Sequence, residues 1–373
     1  MESLVNTIFN NIYSGKRVLV TGHTGFKGSW LTSWLLRLNA IVAGISDGIP
    51  TKPSIFEELK LNERIENHTF DIRDLEKIKF VINSFKPDFI FHLAAQSLVS
   101  VSYSDPIQTL STNVLGTSNV LEALRLINFH CVAVIVTSDK CYENFEWVWG
   151  YKESDPMGGK DIYSASKGAA ELVFNAYYHS FFKQITSKVV IATGRAGNVI
   201  GGGDWAKDRI VADCARSWAN GISVEIRNPA STRPWQHVLE PLSGYLALGS
   251  ELYSNRRLNG ESFNFGPRSE QSKKVVELIQ DLSGYWEDFE SRDAYNVIAN
   301  SDYSEAGLLK LNCDKAMHIL KWQGSLDYKQ CVKFTSEWYV NYYNRSDDVC
   351  SFTERQIADY ENIAKNRGLP WVQ

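Results

Sequence analysis

Three glycines placed between a strand and a helix restrict this chain more than any other feature. Gly22, Gly25 and Gly28 follow the β-branched run of residues 17–20 and precede a helical pattern of Trp30, Leu31, Trp34, Leu35 and Leu38. A second apolar run, residues 41–45, ends in Ser46-Asp47. Strand, turn, helix and strand make a βαβ unit, which requires a parallel sheet with a right-handed crossover. In such a turn the first glycine lets the chain reverse. The second removes a Cβ where a pyrophosphate approaches the backbone, and the third lets helix and strand pack closely. The helix N-terminus then offers free N–H groups and partial positive charge to an anion. The turn therefore predicts a dinucleotide site. Asp47, and alternatively Ser46, stands where an acceptor for the adenosine ribose hydroxyls belongs. No arginine follows that strand directly, which favours NAD over NADP. Lys27 inside the turn is a cation that could instead attract a 2′-phosphate.

The alternation continues. Strands are expected over 89–93, 132–136 and 187–191, and helices over 113–126 and 165–182. This is an α/β pattern of Rossmann type, a doubly wound parallel sheet. After Gly194 the repeat is lost in the loops at 201–205 and 229–234, and Pro241 stands near the start of a further helix. We expect residues 1–195 to form the dinucleotide-binding domain, with 235–265 returning to it. Residues 196–234 and 266–345 should form a smaller mixed α/β C-terminal lobe for the substrate. Residues 346–373 should form a tail with a short helix near 354–363.

Composition excludes several classes. The chain has 373 residues, with 43 acidic against 39 basic, so nothing marks it for nucleic acid or for an anionic membrane. Residues 30–45 are apolar but carry Arg37 and Asn39, and no other run approaches a membrane span. The N-terminus lacks the pattern of a secretory signal. Cys131, Cys141, Cys214, Cys313, Cys331 and Cys350 are dispersed without a C-x-x-C pair. Reduced thiols in a cytoplasmic protein are the expectation. The seven histidines are scattered, so no metal is expected.

Tyr163 and Lys167 are four apart at the start of the long helix, hence on one face. An ammonium beside a phenol favours the phenolate, and the spacing predicts that Lys167 lowers the Tyr163 pKa toward neutrality. Tyr163 would then accept a proton from a sugar hydroxyl while a hydride leaves for nicotinamide.

Taken together, Gly22-x-x-Gly25-x-x-Gly28, Leu93-Ala94-Ala95, Asn113, Thr137-Ser138-Asp139-Lys140 and Tyr163-x-x-x-Lys167 resemble the extended short-chain dehydrogenase/reductase family. The nearer resemblance is to its nucleotide-sugar 4,6-dehydratases. The strings TGHTGFKGSWL, TSDKCYEN, WVWGYKESDPMGG, YSASKGAAELV and RPWQHVLEPLSGYL are most similar to the branch acting on CDP-glucose. In that branch Asp-Lys stands where the dTDP- and GDP-sugar enzymes carry Asp-Glu.

The resemblance implies an NAD-dependent lyase that oxidises C4, eliminates water across C5 and C6, and returns the hydride to C6. The cofactor ends each turnover unchanged and would stay tightly bound. Ser138, Asp139, Lys140, Tyr163 and Lys167 would be catalytic. Asp139 is the candidate acid at the 6-hydroxyl. Lys140 is either the base at C5 or a fixed charge stabilising the enolate. Gly22, Thr24, Gly25, Phe26, Lys27, Gly28, Asp47, Asp71, Ile72, Leu93, Ala94, Ala95, Gln96, Asn113 and Thr137 would contact the cofactor, together with Tyr163 and Lys167. Gln96, Asn198, Arg209, Arg233 and Trp235 would hold the CDP-glucose, the arginines matching phosphate oxygens with their forked geometry. Relatives pair through a four-helix bundle, here near 113–126 and 165–182, so a homodimer or a tetramer is implied. The product would serve deoxysugar synthesis for surface polysaccharide. Alternatives are a nucleotide-sugar 4-epimerase, a dehydratase for another nucleotide-glucose, and a non-catalytic NAD(H)-binding regulator.

Overall fold

The computed structural model describes residues 8–268, 271–286, 293–298 and 308–373; the rest of the segment expected over 266–345 lies outside the described residues. The strands are β1 (Arg17–Thr21), β2 (Ile41–Ser46), β3 (Glu66–Thr69), β4 (Phe89–His92), β5 (Cys131–Val136), β6 (Val189–Ala196), β7 (Val199–Ile200), β8 (Val224–Ile226), β9 (Thr232–Pro234), β10 (Gln236–His237), β11 (Ser262–Phe265), β12 (Ser272–Lys274) and β13 (Tyr295–Val297). Seven of them form one sheet in the order β11-β6-β5-β4-β1-β2-β3. Every neighbouring pair in it is parallel.

The β-branched strands are buried on both faces, as a parallel sheet demands. Along β1, Val18 and Val20 enter one core and Leu19 the other. The helices Phe26–Arg37 and Leu239–Ser254 cover the first face with Trp30, Trp34, Leu242 and Leu246. Leu75–Phe85, Gly116–Arg125 and Ile162–Tyr177 cover the second with Ile78, Val120 and Phe174. From β1 the chain adds β2 and β3 on one side and β4 onward on the other, and the switch point between β1 and β4 opens a crevice at the strands' C-terminal ends.

Some boundaries differ from the periodicity. The strand expected over 187–191 runs on to Ala196. The helix expected over 165–182 starts at Ile162, because the Asp161 carboxylate accepts from Ser164 N at 2.9 Å and caps it. The one expected over 113–126 is α-helical only from Gly116, after a wider turn over Ser111–Leu115. β3, one of the sheet's two edge strands, carries no apolar run and is only partly buried. The C-terminal helix spans Val349–Asn366 and packs on the helix of the glycine turn. There Glu361 accepts from Trp34 Nε1 at 2.8 Å and pairs with Arg37 at 3.0 Å. Outside the main sheet, β7 pairs with β10, β9 with β12 and β8 with β13.

Candidate active site

The glycine turn meets the switch point directly. Gly22 has φ +74°, and a Cβ on it would stand 2.7 Å from Ala94 N. A Cβ on Gly28 would stand 2.1 Å from the carbonyl oxygen of Gly22. Only hydrogen fits at either place, so the turn lies flat between β1 and β4. The helix Phe26–Arg37 begins at Gly25 with no side-chain cap and no acid in its first turn. By contrast, Asp74, Asp161, Asp327 and Asp348 cap other helices. A bare helix N-terminus over a glycine cradle fits the pyrophosphate of a dinucleotide. Thr24 donates to Gly48 O at 2.6 Å. His23, fully buried, contacts Ser46 Oγ at 3.1 Å and Asn67 Oδ1 at 2.8 Å. His23 thereby ties the turn to the ends of β2 and β3. Asp47 is exposed at the end of β2. Asp71 is held by Arg73 at 2.5 Å, and that contact keeps its carboxyl below the usual range. Ile72 is buried against Gly116.

The loop after β4 is braced from within. Thr21 Oγ1 accepts from Ala94 N at 3.2 Å and contacts His92 Nδ1 at 2.7 Å. Leu93, Ala94 and Ala95 are half-buried beside it. Asn113 accepts from Gln96 N at 2.8 Å and donates to Gln96 O and to Ser166 Oγ of the Tyr163 helix. The Gln96 amide donates to Thr109 Oγ1 at 2.7 Å. Both side chains expected on the ligand are thus committed to holding this loop against the helix.

The chain leaves β5 through Thr137 into Ser138, which is extended, and then a single turn, Asp139–Cys141. Ser138 donates to Asp139 Oδ1 at 2.9 Å and accepts from Lys140 N at 3.2 Å. Gly168, next to Lys167, lies against this turn: its Cβ position is 3.3 Å from Cys141 O. Ser138, Asp139, Tyr163 and Lys167 are all buried, while Lys140 is half-buried.

Charges in this crevice are poorly solvated. Burial pushes the Tyr163 phenol up to about 12, opposed chiefly by the Arg209 guanidinium and raised further by Asp139. Burial pushes Lys167 down to about 8 against the pull of Cys141 and Glu171. Burial also raises the Asp139 carboxyl, opposed by Lys140, Ser138 and Lys27. This corrects the expectation that Lys167 lowers Tyr163. Desolvation of a phenolate outweighs the ammonium, which sits 6.0 Å from the ring centroid, and the cation that draws on Tyr163 is Arg209.

Arg209, from the loop before Ile210–Ala219, donates to Ser97 O at 3.2 Å and so bridges toward the β4 loop. Lys27 is pushed down to about 8 by burial and by Arg209, and feels Asp139 and Asp204. Asn198 is half-buried between β6 and β7. Arg233 lies half-buried in β9, and Trp235 is buried with its indole N–H on Lys273 O at 3.2 Å. Glu171 and Arg195, absent from the sequence reading, pair in the core beneath Lys167. An acid four residues beyond Lys167 on an apolar face was the available signal. Among the described residues no three His, Cys, Asp or Glu side chains gather as metal ligands. No described helix is long and apolar enough to cross a membrane.

Comparisons with known proteins bear on the fold and the family. The chain is 47% identical over 357 residues to a CDP-glucose 4,6-dehydratase of Salmonella typhimurium, covering 95% of this chain and 98% of that one. An epimerase from Methanothermobacter thermautotrophicus superposes with TM-score 0.77 at 25% identity, covering 92% of this chain and 98% of that one. A dTDP-glucose 4,6-dehydratase from Bacillus anthracis, solved in complex with NAD, shares the fold with TM-score 0.71 at 20% identity, covering 87% of this chain and 96% of that one. The family model for GDP-mannose 4,6-dehydratase matches residues 19–335, from the glycine turn through the Asp139-Lys140 turn and the Tyr163 helix. The chain belongs to the GDP-mannose 4,6-dehydratase family.

Proposed function

We propose that this chain converts CDP-D-glucose to CDP-4-keto-6-deoxy-D-glucose and water. The observation that carries the reading is the seating of the Ser138-Asp139-Lys140 turn on the Tyr163 and Lys167 face of one helix. The reading is supported by the burial of Ser138, Asp139, Tyr163 and Lys167, with Lys140 half-buried beside them. The choice of cytidine as the nucleotide base is supported by the 47% identical relative.

Gly22, Gly25, Gly28 and Asp47 would hold NAD, which would supply a hydride acceptor for C4, a hydride donor for C6 and, in its oxidised form, a positive charge. Tyr163 takes the 4-hydroxyl proton while Ser138 hydrogen-bonds the same oxygen. Lys167 would hold the nicotinamide ribose. The resulting 4-ketone acidifies the C5 proton. Lys140 removes that proton, or else holds the enolate by charge while another group does so. Asp139, whose raised pKa favours the protonated form, gives its proton to the 6-hydroxyl, which leaves as water. A proton returns to C5, and the one collected by Tyr163 replaces the one Asp139 lost. Asn198, Arg209 and Arg233 would bind the pyrophosphate of the substrate.

A dimer through helices 113–126 and 162–177 fits the exposed apolar residues Leu115 and Leu172 there. A cytoplasmic setting and a deoxysugar route to surface polysaccharide complete the reading. A nucleotide-sugar panel (CDP-, dTDP-, GDP- and UDP-glucose) with mass detection tests it. Loss of water from CDP-glucose is expected; epimerisation without loss of water overturns it.

A further inference from the structure

We propose that the buried Glu171–Arg195 ion pair is a positioning device for the dehydration, holding the segment 138–141 at working distance from Tyr163 and Lys167. The inference rests on the reading above that these residues act on the sugar. Glu171 and Arg195 are each about 2% exposed. Arg195 Nε donates to Glu171 Oε1 and Nη2 to Oε2, each at 2.8 Å, a forked contact. The carboxylate accepts two further bonds, from Thr137 Oγ1 and from Thr193 Oγ1. Arg195 Nη1 donates to Tyr142 OH at 2.8 Å, and that hydroxyl donates to Asn264 Oδ1 at 2.8 Å.

The placement of these partners matters more than their number. Thr137 is the residue before Ser138, and Tyr142 is the residue after Cys141. Both ends of the segment that carries Ser138, Asp139 and Lys140 are therefore fastened to one ion pair. Glu171 lies one helical turn beyond Lys167 and two beyond Tyr163. Arg195 is on β6 and Asn264 on β11, so the clamp is anchored in the rigid sheet. A buried ion pair is weak support for stability, since apolar replacement of both partners is often neutral or better. What it supplies that packed hydrocarbon does not is direction. Four oriented hydrogen bonds fix the carboxylate against two elements at once, and small misplacements of reacting groups are expensive in rate.

The test uses the full-length chain loaded with NAD. A Glu171→Leu/Arg195→Met double variant removes both charges together and leaves neither one unpaired. A Tyr142→Phe variant keeps the ring and removes only the hydroxyl that joins Arg195 to Asn264. Thermal unfolding, retained NAD, KM and kcat for CDP-glucose, and the nicotinamide absorbance band during turnover are measured. The expected result is an intact fold with KM within about threefold, kcat lower by about tenfold or more in the double variant, and a smaller fall in Tyr142→Phe. Reduced cofactor should build up, because C4 oxidation then outruns the misaligned elimination. Wild-type kcat and no build-up in Tyr142→Phe, or in a folded double variant, overturns the inference. If the double variant does not fold, Tyr142→Phe alone decides. If the wild type releases no water from any nucleotide sugar, the functional reading falls and this inference with it.

Discussion

The Lys167 ammonium stands 6.0 Å from the centre of the Tyr163 ring, with both side chains almost wholly buried. At this distance and burial the lysine alone does not produce a phenolate near neutrality. Burial leaves Tyr163 at about 12. Positive charge delivered with the oxidised cofactor would lower it, since a cation beside a phenol favours the phenolate. Ultraviolet difference titration of wild type minus Tyr163→Phe checks this. In protein stripped of NAD the Tyr163 signal should rise only near pH 12, and rebinding oxidised NAD should bring it down. A neutral-range signal in the stripped protein contradicts the assignment.

In the proposed mechanism Lys140 acts apart from the residues that oxidise C4. In Lys140→Met, oxidation at C4 should persist, because Ser138, Tyr163 and Lys167 are untouched. Exchange of the C5 proton with deuterated solvent should drop by about a hundredfold, the scale of a lost general base. Normal exchange assigns the base elsewhere and leaves Lys140 the electrostatic role.

The glycine cradle tolerates no methyl group. In Gly28→Ala the new Cβ, 2.1 Å from Gly22 O, must push the helix off the turn. The variant is expected to purify with little NAD and to show turnover only with a large excess added. Cofactor content after denaturation, measured by chromatography, gives the answer, and full NAD content would refute the close approach.

Acid should destabilise the fold through two buried imidazoles. Burial pushes His92 and His237 each down to about 3 from an ordinary 6.5. Between those values the unfolded chain binds more protons than the folded one. Their contribution is therefore complete above pH 6.5 and is lost as pH falls toward 3. Urea midpoints from pH 7 to pH 4 should fall, and His237→Asn should flatten the slope. Equal slopes would remove His237 from this account.

The doubly wound sheet was legible because its signals are local. The run 17–20, the glycine turn and the helical spacing from Trp30 each depend on neighbours within a few residues. The Tyr163-Lys167 pair was legible for the same reason, being one turn of one helix. The edge strand β3 was less visible because ENHT carries no apolar alternation, and the C-terminal helix runs beyond the expected 354–363 at both ends. The electrostatics were misjudged where burial, which spacing does not encode, outweighs a neighbouring charge.

By itself the sequence determined the parallel α/β pattern, the cofactor turn and the chemical types gathered after β5, since backbone periodicity and residue chemistry are written locally. Only the tertiary structure decided that Arg209 draws on Tyr163, that Lys27 is buried beside both Arg209 and Asp139, and that Glu171 finds Arg195 from 24 positions away. Such pairings arise from the collective burial of side chains distant in the chain. A buried charge must find its partner wherever the packed sheet and helices bring one within reach.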